Sequence, residues 1–142
     1  MKQARRSLTI ALHWGLLLLM IFIIAGASSP WVFWAFALSG FAMSGLALPF
    51  GLMSGPGPAL EGALRALHPW MHRAMYLYLA LLSAITLKAL LTGEPAGRDL
   101  LIWYYALAAA TALHSVFHLW RHTGLGDGAL RRITPKAIHH ML

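Results

Sequence analysis

The chain has 142 residues, of which 59% are hydrophobic and only 11% charged, against about 25% charged in a soluble domain. Too few charges remain to build a water-facing surface, which excludes soluble globular, disordered and nucleic-acid-binding readings and points to a membrane protein. The net charge of +7 comes from cations at the borders of apolar segments, as membrane topology requires, and not from a nucleic-acid surface.

In chain order, the first apolar run covers Leu8 to Ala27, enough at about 1.5 Å per residue to cross a hydrocarbon core of about 30 Å. It follows Lys2, Arg5 and Arg6, is too long for a signal-peptide apolar region, and is expected to be retained as a span. Ser28, Ser29 and Pro30 mark a turn. A second span, Trp31 to Met53, opens with Trp31, Phe33 and Trp34 at the interface. A Gly/Pro-rich break at 54–58 leads to an amphipathic turn of helix from Ala59 to Leu67, which Pro69 should kink. The third span covers Trp70 to Leu91, a short loop Thr92 to Asp99, and the fourth span Leu100 to His122, with a polar tail from Thr123 to Leu142.

Nine of the eleven cations (Lys2, Arg5, Arg6, Arg65, Arg73, Arg121, Arg131, Arg132 and Lys136) flank one side of these spans; only Lys88 and Arg98 fall on the other. The positive-inside rule then places both termini in the cytoplasm. The fold class expected is all-α, an up-down-up-down transmembrane four-helix bundle.

There are no cysteines and eight histidines, so thiolate metal sites, iron–sulfur clusters and covalently attached haem are excluded and imidazole is the main metal donor. His13 lies about 9 Å into the first span, where a polar group needs a partner. His68 and His72 are one helical turn apart at the start of the third span. His114, His118 and His122 form a stripe in steps of four on the fourth, each step rotating by only about 40°. His13, His72 and the stripe converge in depth from three helices, the arrangement that holds a haem between two imidazoles. Gly40 and Ser44 on the second span serve either close helix packing or room beside a macrocycle. A zinc site is set aside: there is no cysteine, and none of the four acids lies in a span. His68, beside Pro69, and His139 and His140 in the tail are read as solvated.

These residues also carry a resemblance. Ala11-Leu12-His13-Trp14 resembles the Leu-His-Trp signature of bacterial cytochrome b561 proteins and the related cytochrome b subunits of hydrogenases. Leu113-His114, His122 and Asp127-Gly128-Ala129-Leu130-Arg131-Arg132 with Pro135 resemble that family's fourth helix and its exit. Met71-His72-Arg73-Ala74-Met75-Tyr76-Leu77-Tyr78-Leu79 is similar to its third-helix opening. The resemblance implies a haem b electron carrier of the bacterial inner membrane, exchanging electrons between the quinone pool and a protein partner such as a larger redox complex. Its ligands would be drawn from His13, His72, His114 and His122; His118 has no counterpart in the family.

One departure bears on stoichiometry. The family has a histidine near the outer end of the second helix, whereas Trp31 to Met53 contains none, and Met43 is the mid-span alternative donor. One haem is therefore expected, on the cytoplasmic side, with the outer half packed by side chains; two would need a donor of that kind. Two axial imidazoles favour outer-sphere electron transfer, so the chain reads as a carrier before an enzyme. A superoxide oxidase reducing quinone and a haem-poor structural subunit are the alternatives. The nearly neutral loop holding Glu94, Arg98 and Asp99 argues against steering an anion such as superoxide.

Overall fold

The computed structural model describes residues 2–51, 55–93 and 98–141; the expected end of the second span at Met53 and the loop residues Glu94 and Pro95 lie outside them. It is all-helical. Helices α1 (Lys2–Ile24), α2 (Pro30–Phe50), α3 (Gly62–Thr92) and α4 (Arg98–Thr123) are each long and apolar enough to cross a membrane. Two short 3-10 turns follow, Ala129–Arg132 and Lys136–Met141. Pro30 opens α2, where its fixed φ suits the first helical position and its missing N–H costs nothing, with Ser29 extended before it.

Each helix runs antiparallel to the next. Arg5 near the start of α1 donates to the Phe50 carbonyl at the end of α2. Ser44 of α2 donates to the Tyr76 carbonyl of α3 at 3.2 Å, while Gly40 lies farther along against Ser83 and Leu79. On α3 and α4, His72 meets His118 and Thr86 meets Tyr104. Helix α4 closes the ring against α1, leaving α1 diagonal to α3.

In the half of the bundle away from the termini, side chains of all four helices pack together. Leu16, Met20 and Ile23 of α1, Phe33 and Phe36 of α2, Leu82 of α3 and Leu100, Tyr104 and Leu107 of α4 form one buried cluster. Phe36 meets the Tyr104 ring edge-on at 4.9 Å, and the Tyr104 hydroxyl shares a 2.8 Å hydrogen bond with Thr86, satisfying both buried polar atoms. Of the two roles considered for Gly40 and Ser44, close packing against α3 is the one observed: a Cβ at residue 40 would collide with the Ser83 hydroxyl.

The third helix departs most from its expected outline. It begins eight residues before Trp70 and runs through Pro69 without a break. Pro69 sits in the second turn, so only the Arg65 carbonyl loses its helical N–H partner. The tail, expected as a polar appendage, folds back on the bundle: Trp14 Nε1 donates to the Ile133 carbonyl at 3.0 Å and Arg6 to the Arg131 carbonyl at 3.0 Å.

Candidate metal centre in the bundle

Because α3 and α4 are antiparallel, the one-turn pair His68 and His72 comes opposite the stripe on α4. Five imidazoles or phenyl rings then pack into one cluster. Ring centroids lie 4.4 Å apart for His68 and His72, 5.3 Å for His72 and His118, 4.5 Å for His114 and His118, and 5.2 Å for His72 and His114. Phe117 flanks His68 at 6.3 Å. His72 Nε2 and His118 Nε2 face each other at 3.3 Å, and one donor nitrogen each from His68, His72 and His118 lies within 4.8 Å of the others.

The tautomer of His72 follows from its second nitrogen. Nδ1 is 2.9 Å from the carbonyl oxygen of His68, and a carbonyl oxygen only accepts, so Nδ1 carries the proton and Nε2 the lone pair. Among the described residues neither nitrogen of His68 has a hydrogen-bond partner, although the residue is 1% exposed; the Nδ1 atoms of His114 and His122 are buried in the same condition. Leaving such a group unsatisfied costs about 1–3 kcal/mol.

Of the expected ligands, His72 and His114 are in the cluster. His13 on α1 packs edge-on against Trp14 at 5.9 Å and comes within electrostatic reach of both His72 and His114. His122, one turn beyond His118, is half-buried and makes no ring contact among the described residues. Two further members, His118 and His68, stand outside the expected ligand set. His118, read as part of the α4 stripe but left out of the ligand set that the resemblance implies, lies at the centre. His68, read as solvated, is buried: with α3 starting at Gly62 it stands inside a helix and not at a fraying end. The four-residue spacing of His68 and His72 was the available signal.

Beside the histidines, the bundle end is tied by a buried ion pair that the sequence did not announce. Arg121, 0% exposed, pairs with Asp127 and donates to the Pro56 carbonyl at 2.6 Å. Arg65 and Arg132 donate to the Gly57 and Gly55 carbonyls at 2.7 and 3.1 Å. Gly57 has φ +76, and a Cβ there would sit 3.0 Å from the Arg121 guanidinium and 3.1 Å from the Asp127 carboxylate, so only glycine suits this approach. Arg121, Arg132 and Asp127 all lie within electrostatic reach of His68. No protein-family model, curated protein or solved structure matches the chain.

Proposed function

We propose that the chain is a membrane-embedded b-type cytochrome that passes electrons between the quinone pool and a protein partner in the bacterial inner membrane, with both termini cytoplasmic. The observation that carries this reading is the convergence of imidazoles from α1, α3 and α4 at one level of an apolar bundle, with buried ring nitrogens of His114 and His122 that no group among the described residues satisfies. The orientation is supported by the gathering of Arg5, Arg6, Arg65, Arg121, Arg131 and Arg132 at the end of the bundle that holds both termini.

The donor set fits haem in kind: imidazole alone, in a water-poor setting. His72 Nε2 is turned toward His118 Nε2 at 3.3 Å and not toward α1, so this reading takes His13 of α1 with His114 or His122 of α4 as the residues that would hold the haem. His72 is left as a neighbouring ring. Bound there, haem would supply one-electron transfer chemistry. The protein's share is to fix the imidazoles, exclude water from them and hold α4 in place through the Arg121 and Asp127 pair.

A reduced-minus-oxidised spectrum of the purified protein, with a pyridine haemochrome count, tests this. One haem per chain is expected, and His13→Ala should remove the low-spin signal. A folded protein without haem, or a His13→Ala variant with full haem content and an unchanged spectrum, overturns the reading or the ligand respectively.

A further inference from the structure

We infer that His68, His72 and His118 form a second, haem-independent site for a single imidazole-preferring transition-metal ion, zinc or copper. The site shares no ligand with the haem pairing proposed above, which uses His13 and His114 or His122.

Three observations converge. The first is spacing. At metal–nitrogen bonds of about 2.0–2.1 Å, tetrahedral geometry separates neighbouring nitrogens by about 3.3–3.4 Å. His72 Nε2 and His118 Nε2 stand 3.3 Å apart, and the His68 donor closes the triangle within 4.8 Å. That separation is the one a small ion requires.

The second is preorganisation. The His72 Nδ1–H bond to the His68 carbonyl, at 2.9 Å, directs the lone pair of Nε2 toward His118. An imidazole oriented through its other nitrogen is how metal-binding histidines are commonly held. Without an ion, His118 Nε2–H donates to that lone pair; with one, His118 turns a lone pair inward and carries its proton on Nδ1. Binding therefore needs a tautomer change at His118 and no net release of a proton.

The third is the state of His68. Both its nitrogens are buried without a partner, and an ion satisfies one of them. The added positive charge stands near Asp127, which is the one buried carboxylate among the described residues and within electrostatic reach of His68. The ligand class follows from the donors: imidazole suits zinc and copper, whereas calcium and magnesium require oxygen. Three protein ligands would leave one position of a tetrahedral ion free.

The test uses the full chain in detergent after chelator treatment, titrated separately with zinc(II) and copper(II), with cobalt(II) as an optical probe of geometry. One ion per chain is expected. His68→Gln and His118→Gln should each weaken binding by about a hundredfold or more, since even outer-shell partners are worth 10–100-fold; His139→Gln and His140→Gln should leave it unchanged. Saturable binding absent from the folded wild type, or equal in all four variants, overturns the site. Loss of haem absorbance in the first two variants assigns their imidazoles to haem and also overturns it. If neither of those variants folds, X-ray absorption of the zinc-loaded wild type decides, by an imidazole shell at about 2.0 Å or its absence. Haem content of the same preparations separates the two readings: ion binding without haem removes only the cytochrome, and haem without ion binding removes only this site.

Discussion

Gly40→Ala is the sharpest test of how α2 meets α3. A Cβ at this buried position would collide with the Ser83 hydroxyl and stand 3.3 Å from Leu79 Cδ1 and Ser83 Cβ. Inserting a methyl group into a packed interface costs about 1–3 kcal/mol, but Ala also gains about 1 kcal/mol over Gly in helix propensity. Gly45→Ala isolates the steric part, because Gly45 is on the same helix, exposed, with nothing within 4 Å of its Cβ position. Propensity cancels between the two variants, so Gly40→Ala should be less stable than Gly45→Ala by about 1–3 kcal/mol. Ser83→Ala removes the colliding oxygen, itself buried without a partner, and in that background the difference should fall below about 1 kcal/mol, a coupling of the size contacting residues show. Reversible unfolding in mixed micelles, followed by tryptophan fluorescence, measures all four states. Equal stability of Gly40→Ala and Gly45→Ala, or a difference that persists without the Ser83 hydroxyl, refutes the close approach.

Asp127→Ala should destabilise the fold by about 3–5 kcal/mol, because it leaves the fully buried Arg121 guanidinium without its anion; a loss under about 1 kcal/mol in the same micelle assay would mean that water reaches the pair. Thr86→Val and Tyr104→Phe should each cost about 1–3 kcal/mol by orphaning the other hydroxyl. The double variant should cost less than the sum, and strict additivity would deny that the two are bonded.

The two ends of the bundle differ in what they ask of the protein. Away from the termini, Phe36, Leu82, Tyr104 and Thr86 interlock and satisfy one another, which suits a structural anchor. At the other end the buried polar groups are the imidazoles between α3 and α4, several without partners among the described residues, and the Arg121 and Asp127 pair beside them. Polar groups left unsatisfied inside an apolar bundle are maintained at a cost, and a ligand is the ordinary reason for maintaining them.

Composition and hydropathy announced four helices long and apolar enough to cross a membrane and their antiparallel order, because apolar runs of that length joined by short loops pack as up-and-down helices. The histidine stripe of α4 was likewise legible, since steps of four residues share a face whatever lies opposite. What lies opposite was not. Whether His68 is solvated or buried depends on where α3 begins and on the His72, Phe117 and His118 rings that pack around it. Gly40 and Ser44 announced a close approach without naming Ser83 and Tyr76 as what they approach. Asp127, in a tail that reads as polar, becomes the buried partner of Arg121 only when the chain reverses over the bundle end. Local periodicity is a property of one helix at a time, whereas the pairing of His72 with His118 and of Arg121 with Asp127 is set by the register and covering of several segments, which only the packed tertiary structure decides.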